Sequence, residues 1–331
     1  MLRLDNTKKI LLIRLSSLGD VILTTPLLRS LKKQYPRLII DFCVREDFAD
    51  VLRHNPNISN LILYRKDDST IRNIKTSIAG SGYDLIIDLQ NNYRSKFILT
   101  GLNTTILNFR KNIFLKLLLV KFKINLLTGK QGIPQRYAKV LHGFELDNDG
   151  LEIFSPDSVN ADIPDADNYI GICPGSLHFT KTWPYSYYIE LGEVIKLHGY
   201  KLLVFGGKRE MHLCKTIADA VPGTINLCNN DDLYKTIVNM KKCKAVITND
   251  SGLMHVASAL KLPVLAIFGS SVKEFGFTPY KTNYTIIENR SLKCRPCSHI
   301  GKSECPKKHF ECMVHLSPTM VYQNLTFLFS K

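Results

Sequence analysis

Lys9-Ile10-Leu11-Leu12-Ile13 runs directly into Arg14-Leu15-Ser16-Ser17-Leu18-Gly19-Asp20-Val21-Ile22-Leu23. The first five residues have the length and composition of a buried parallel strand, and Val21 to Tyr35 carries apolar residues at helical spacing. Strand, tight turn and helix in that order open a βα unit, whose turn lies at the carboxyl edge of the sheet, where open α/β folds place ligands. Gly19 allows backbone to approach closely there, and Asp20 is the lone acid in the turn. Taken by themselves, Ser16, Ser17 and Asp20 equally suit the capping of a first helical turn.

The same alternation continues outward. Leu38 to Val44, Leu61 to Tyr64, Leu85 to Leu89 and Thr105 to Phe109 read as strands, with helices over Glu46 to His54, Thr70 to Ala79 and Arg94 to Leu99. The turn Gln90-Asn91-Asn92-Tyr93-Arg94 is expected at the same sheet edge as Asp20. Asn91, Asn92 and Arg94, with Arg14 and Ser17, therefore form a candidate surface for a hydroxylated or anionic ligand, although a polar loop with a solvated Arg reads the same way. A second alternation starts at Tyr169-Ile170-Gly171-Ile172-Cys173 and enters Pro174-Gly175-Ser176. Lys181-Thr182-Trp183-Pro184 follows, just before a helix from Tyr185 to His198. Free N–H groups at such a loop and the charge of Lys181 suit an anion, whereas a Lys beside the only Trp also suits a surface cation–π contact. Lys201 to Phe205 ends in Gly206-Gly207-Lys208-Arg209-Glu210, where exposed backbone and an acid suit a nucleotide. Ala245 to Asn249 passes straight into Asp250-Ser251-Gly252 and a helix containing His255, a start that points N–H groups outward at an anion. Asp250 as a simple N-cap fits that stretch too.

Length and charge set the limits. A chain of 331 residues suggests two domains, and a net charge of +15 calls for an acidic partner: nucleic acid, anionic lipid or a phosphorylated substrate. No Asp or Glu occurs between Gln90 and Phe144, a stretch with Arg94, Lys96, Arg110, Lys111, Lys116, Lys121 and Lys123; from Glu145 to Asp167 the sign reverses completely. We read the acidic, proline-containing stretch as a linker, giving domains over 1–150 and 169–331 with 151–168 between them. Asp147-Asn148-Asp149 and Asp165-Ala166-Asp167 have the form of an Asp-x-Asp metal motif, but neither follows a buried strand. The apolar run from Ile113 to Leu127 is cut by lysines, so no spanning segment is expected and the protein is placed in the cytoplasm. That run reads either as an interfacial helix or as a core helix with snorkelling lysines. Without a leader, the nine cysteines are not expected to form disulfides. Cys294, Cys297, Cys305 and Cys312 have spacings that suit a structural zinc.

Arg14-x-Ser-Ser-Leu-Gly-Asp20-Val with Thr24-Thr25-Pro26, then Pro-Gly-Ser176 with Lys181-x-Trp-Pro, then Asp250-Ser-Gly-x-x-His255, together resemble glycosyltransferase family 9, the ADP-heptose:lipopolysaccharide heptosyltransferases. The resemblance implies a GT-B architecture of two doubly wound Rossmann-like domains facing across a cleft, the acceptor on the first and the nucleotide sugar on the second. It further implies that Asp20 is the catalytic base, that Ser176 and Lys181 contact the donor phosphates, and that Glu210 meets the ribose. Asp250 would hold sugar hydroxyls while Ser251, Gly252 and His255 complete the diphosphate site. A cysteine-rich segment also resembles what many family members carry without being metalloenzymes. The expected reaction is an inverting transfer of a heptose or related sugar from an ADP-sugar to a phosphorylated lipid or oligosaccharide of the lipopolysaccharide core, with no cofactor or divalent metal. A GT-B enzyme with another donor or outcome is the alternative. Nucleic-acid binding rests on charge alone, since the basic residues lack an aromatic platform, and it is not expected. The acid-free stretch from Arg94 to Lys139 is expected to face the acceptor and the anionic inner face of the membrane.

Overall fold

The computed structural model describes residues 4–65, 67–127, 131–166 and 168–330. They divide into two compact units, Met1–Lys111 with Gln131–Phe154, and Asn112–Lys130 with Ser155–Lys331.

The first unit is built on β1 (Lys9–Ile13), α1 (Leu18–Ile22), α2 (Thr25–Gln34), β2 (Ile39–Arg45), β3 (Asn60–Tyr64), α3 (Asp68–Gly80), β4 (Leu85–Asp88), α4 (Tyr93–Leu99) and β5 (Thr105–Asn108). Its sheet has the order β3-β2-β1-β4-β5 and every pairing is parallel. Strand β1 is central, and Ile10, Leu11, Leu12 and Ile13 are wholly buried, as a strand covered by helices on both faces requires. Glu46–Val51 forms a 3-10 helix in place of the expected longer helix.

The single helix expected from Val21 to Tyr35 is two helices. Pro26 has no N–H to give to the carbonyl of Ile22, and the Thr25 hydroxyl donates to that oxygen instead at 2.8 Å. The Thr24 hydroxyl does the same for Val21 at 2.7 Å. The chain thus turns at Leu23–Thr24 with its carbonyls satisfied, and α2 buries Leu27, Leu28 and Leu31 while Lys33 stays outside.

The chain then places α5 (Ile113–Phe122) in the second unit and returns to the first for α6 (Ile133–Ala138). Leu119 and Leu127 account for that excursion by packing on Phe275. The acidic stretch that reads as a linker is in part anchored. Arg29 of α2 meets Asp147 at 2.6 Å and Glu152 at 2.7 Å, and Lys33 meets Asp149 at 2.6 Å. Leu151 is fully buried beside them, so the first unit extends to Phe154.

The second unit contains β6 (Tyr169–Cys173), α7 (Tyr185–Leu197), β7 (Lys201–Val204), α8 (Met211–Ala220), β8 (Ile225–Asn226), α9 (Leu233–Met240), β9 (Ala245–Asn249), α10 (Gly252–Ala259), β10 (Val264–Phe268), β11 (Tyr284–Glu288), α11 (Glu311–Val314) and α12 (Pro318–Phe329). The strand order is β11-β10-β9-β6-β7-β8, again all parallel. Helix α12 packs within its own unit on α7, β10 and β11 through Val321, Leu325 and Leu328.

The Arg29 cluster ties α2 to the end of the first unit, and hydrogen bonding to Arg29 holds the Asp147 carboxyl below its usual range. A depressed carboxyl pKa stabilises the fold above the unfolded value, near 4, and that contribution disappears as pH falls through the folded value. The variant Arg29→Gln is expected to lose about 2–4 kcal/mol at pH 7, because removing one partner strands two half-buried carboxylates. Urea unfolding of the first unit's transition checks this, and the deficit should shrink as the carboxyls protonate in acid.

Candidate active site

In the first unit, the turn after β1 carries a carboxylate in a fixed setting. Asp20 Oδ1 meets Arg14 Nη2 at 2.5 Å, and Oδ2 accepts the Ser17 N–H at 3.1 Å and the Ser17 hydroxyl at 2.9 Å. The buried Tyr137, from α6, stands near the same carboxylate, and burial together with the charge of Asp20 raises its hydroxyl pKa. Arg14 is itself buried and gives Nη1 to the Leu89 carbonyl at 2.7 Å, so the guanidinium cannot swing away. Burial opposes the charge on Asp20, but Arg14 and the Ser17 bonds outweigh it and hold the carboxyl below the usual range.

The turn after β4 is organised by Asp88, whose side chain is wholly buried. Asp88 Oδ1 accepts the N–H groups of Gln90 and Asn91 at 2.9 and 2.8 Å, and Oδ2 accepts the Ser95 hydroxyl at 2.7 Å. Burial raises the Asp88 carboxyl, against those hydrogen bonds. Gln90 Oε1 then accepts from Leu15 and Ser16 at 2.9 and 3.2 Å, which fastens this turn to the Asp20 turn. Asn91 and Asn92, expected to meet a ligand, are engaged within the chain: Asn91 donates to the Phe109 carbonyl at 2.9 Å, and Asn92 caps α4 by accepting from Arg94 and Ser95 at 3.0 and 3.1 Å. Arg94 lies over the Tyr93 ring. Lys111, from the acid-free stretch expected to face the acceptor, lies near these turns. Burial and Arg14 lower its ammonium pKa while Asp88 and Asp20 oppose them, so it stands in the field of both acids.

In the second unit, the turns after β6, β9 and β10 meet. Lys181, ending the 3-10 turn Phe179–Lys181, reaches Asp250 Oδ2 at 2.7 Å, and the Ser271 hydroxyl donates to the same oxygen at 2.5 Å. Asn249, buried at the end of β9, accepts from Trp183 N–H at 3.2 Å and donates to the Pro174 carbonyl at 2.7 Å, holding the Ser176 turn beside the Asp250 turn. Trp183 is fully buried and gives its indole N–H to Leu316, so it makes no surface cation–π contact with Lys181. Ser251 is the N-cap residue of α10 but its hydroxyl caps nothing and has no partner among the described residues. The first-turn N–H groups from Gly252 onward are thus left for an anion. His255, on the same helix, is buried. Glu210 Oε2 accepts the Gly207 N–H at 3.0 Å, and a Cβ at residue 175 would lie 2.3 Å from Glu210 Cγ. Gly175 is therefore required for Glu210 to lie against the Ser176 turn.

No group of three or more His, Cys, Asp or Glu side chains among the described residues is arranged to hold a metal ion. The four-cysteine zinc site is not assembled: Cys312 is turned into the second unit's apolar core, and burial pushes its thiol up to about 12. Cys294 Sγ lies 3.9 Å from His309 Nε2, and all nine cysteines are free thiols. The Asp-x-Asp stretches do not serve a metal either. Asp147 and Asp149 are paired with Arg29 and Lys33, and Asp165 with Lys242, while Asp167 lies outside the described residues.

Residues 71–308 match the model of glycosyltransferase family 9 (heptosyltransferase). The chain belongs to that family. The lipooligosaccharide heptosyltransferase 2 of Haemophilus ducreyi is 26% identical over 359 residues, which cover 96% of this chain and 98% of the relative. Among solved structures, a family 9 glycosyl transferase from Veillonella parvula superposes with a TM-score of 0.78 at 23% identity, over 100% of this chain and 99% of that one. The ADP-heptose heptosyltransferase II of Escherichia coli gives 0.70 at 22% identity, over 97% and 98%. The fold is GT-B and the protein is a glycosyltransferase. The family match starts beyond Asp20, so the first turn stands on its own geometry and on relatives that span almost the whole chain.

Arg14 is the foremost of the groups that hold the half-buried Asp20 carboxyl below its usual range against desolvation. Carboxyl 13C NMR is expected to show Asp20 titrating below the usual carboxylate value of about 3.9. In Arg14→Met, burial is left unopposed by the guanidinium, and the midpoint is expected to move upward. An unchanged midpoint in that variant would remove Arg14 as the cause.

Proposed function

We propose that this protein transfers a heptose, with inversion, from ADP-heptose to the inner core of lipopolysaccharide. The observation that carries the reading is the Lys181–Asp250–Ser271 cluster at the start of α10. It offers, at one place, a cation and unused helix N–H groups for a diphosphate and a carboxylate for sugar hydroxyls. Relatives named as heptosyltransferases along nearly the entire chain support the same sugar.

In this scheme the donor's diphosphate takes Lys181 and the N–H groups at Ser251 and Gly252, with Ser176 beside them. Glu210 receives the ribose hydroxyls, and His255 supports the α10 start. Asp250, released by Lys181, turns its oxygens to the heptose. Asp20 receives the acceptor hydroxyl. Its oxygens have about four lone-pair positions, and Arg14 and the two donors of Ser17 take three of them. The incoming hydroxyl takes the remaining one or displaces the exposed Ser17 hydroxyl. Asp20 then takes the proton as the acceptor oxygen bonds to the anomeric carbon from the face opposite the leaving group and the anomeric C–O bond to the diphosphate breaks through an oxocarbenium-like state, and the departing ADP is stabilised at its diphosphate by Lys181 and the helix start. Neither cofactor nor divalent metal is needed, because Lys181 and the N–H groups supply the countercharge. Arg14, Arg94 and Lys111 supply positive charge for a phosphorylated acceptor.

Asp20→Asn is expected to bind ADP-heptose as the parent does while turnover falls about 10²-fold or more. Calorimetry and a radiolabelled transfer assay measure the two. Turnover near the parent's removes Asp20 as the base, and stabilisation by a UDP-, GDP- or CMP-sugar in preference to the ADP-sugar overturns the donor.

The acceptor's lipid implies work at the cytoplasmic face of a membrane. No described helix is long and apolar enough to cross one. Helix α5 and the residues after it leave Ile113, Phe114, Leu117, Phe122, Ile124 and Leu126 exposed, with Lys121 exposed among them. Such a surface suits an anionic bilayer, each lysine adding about 1 kcal/mol near the headgroups. Lys123 is not part of it: its ammonium donates to the carbonyls of Val120, Cys294 and Pro296 at 2.7, 3.0 and 2.7 Å. The parent is expected to co-sediment with phosphatidylglycerol vesicles at low salt, and a Phe114→Gln, Lys121→Gln, Phe122→Gln triple variant to stay in solution. Equal binding by both, or by neither, rules this surface out.

A further inference from the structure

The cysteine-rich segment has no metal-holding group, yet it grips the chain beside each member of the Lys181–Asp250 pair: the turn that carries Ser271, and Thr180. On one side, Arg295 is buried and spends its guanidinium on the turn after β10. Nε donates to the Gly269 carbonyl at 2.5 Å, and Nη2 to Ser271 at 2.8 Å and Phe268 at 3.3 Å. Nη1 donates to Asn289 at 2.7 Å, and Glu288, as buried as Arg295 itself, balances the charge at 2.8 Å. The turn so gripped is the one whose Ser271 hydroxyl holds Asp250. On the other side, the Thr180 N–H donates to the Lys302 carbonyl at 3.1 Å, and the Lys302 N–H donates to the Thr180 hydroxyl at 2.9 Å. Lys181 is the next residue. The two sides are joined directly, since the Ser270 N–H donates to the Thr180 carbonyl at 3.2 Å. There is no slack here: a Cβ at residue 269 would stand 2.8 Å from that carbonyl and 2.5 Å from Met313 Cε.

We propose that Arg295 is a positioning residue for the donor, acting through the 268–271 turn and Ser271 on Asp250. The proposal rests on the reading of Lys181 and Asp250 as donor ligands and adds a reason for the segment beyond them. Among the described residues, Lys181 and Ser271 are the partners of Asp250 Oδ2. When Lys181 turns to a diphosphate, the Ser271 hydroxyl is the one that remains, keeping the carboxylate aimed and its charge partly satisfied. Arg295 sets where that hydroxyl sits. Its planar fork binds several carbonyls of one turn at once, which a lysine cannot copy.

The test compares Arg295→Lys, Ser271→Ala, Ser271→Thr and the Arg295→Lys/Ser271→Ala pair with the parent. Ser271→Ala is expected to raise the KM for the ADP-sugar about five- to tenfold and to lower kcat, with the acceptor KM and the melting temperature unchanged. Ser271→Thr, which keeps the hydroxyl, is expected to recover most of the loss. Arg295→Lys is expected to show the same split, and the double variant to lose clearly less than the product of the two single losses, as residues in one chain of contacts do. Independent, multiplicative losses overturn the path through Ser271. Equal loss in the Ala and Thr variants, or a donor KM that moves only with the melting temperature, overturns the positioning role. Should the parent bind no ADP-sugar, the proposed function fails by that measurement alone. Amide hydrogen exchange at residues 179–181 then decides the brace: it is expected to quicken in Arg295→Lys, and an unchanged rate overturns it.

Discussion

Every strand in both sheets is parallel, so the turns that leave their carboxyl ends are forced to the same edge of each sheet. The chemistry is placed by that constraint, but a shared edge does not by itself fix one turn against another. Each unit solves this in the same way, with a wholly buried polar residue at the last position of a strand next to the one that opens the fold. Asp88 ends β4 beside β1, and Asn249 ends β9 beside β6. Asp88 shapes the turn whose Gln90 grips the Asp20 turn, and Asn249 grips the Ser176 turn and Trp183. Burying such groups is costly unless each polar atom is bonded, so a second arrangement of these turns would leave orphaned donors and is disfavoured.

The two acids singled out from the sequence each have a cation beside them, and the difference between those cations matters. Arg14 is fixed by a second bond to Leu89 and cannot leave Asp20. Lys181 offers a single point charge on a flexible stem, with Asp250 as the charged partner it meets in this structure. A guanidinium held on both sides preserves the ionisation of a buried carboxylate, whereas an ammonium on a flexible stem transfers readily to an incoming phosphate. Arg in one unit and Lys in the other is the pattern the proposed transfer calls for, with Arg14 held in place and Lys181 free to exchange partners.

What was legible in the sequence is what short-range pattern encodes. The strands, their parallel sense and the turns carrying Asp20, Lys181 and Asp250 follow from buried apolar runs that stop at Gly, Ser and Asp. The break within Val21 to Tyr35 was also encoded, in Thr24-Thr25-Pro26, but two hydroxyls and a missing N–H are easily read past when the apolar spacing continues through them. What could not be read is long-range. Nothing near Tyr137 marks it, and although Gln90 and Ser271 lie in turns, nothing local assigns their partners, which lie in distant turns. Asn91 and Asn92 show the complementary limit: residues suited to bind a ligand are equally suited to finish a loop, and here each does the latter. The four cysteines show the limit of spacing as a guide, since Cys312 is drawn into the apolar core.

The basic run from Arg94 to Lys139 makes the same point about charge. As sequence it is one acid-free block, and as structure it is several unrelated positions. Lys111 stands in the field of Asp20 and Asp88, Lys123 closes on three carbonyls, and Lys116 lies over the Phe277 ring. The chain even divides the block between its two units, with 112–130 in one and the residues on either side in the other. A net charge of +15 therefore does not describe one surface. Its lysines and arginines are shared among ion pairs in the turns that carry Asp20 and Asp250, internal supports and an exposed helix. Counting the block as a whole overstates the attraction of any single partner, and the salt dependence of each interaction is set by the few charges that face it.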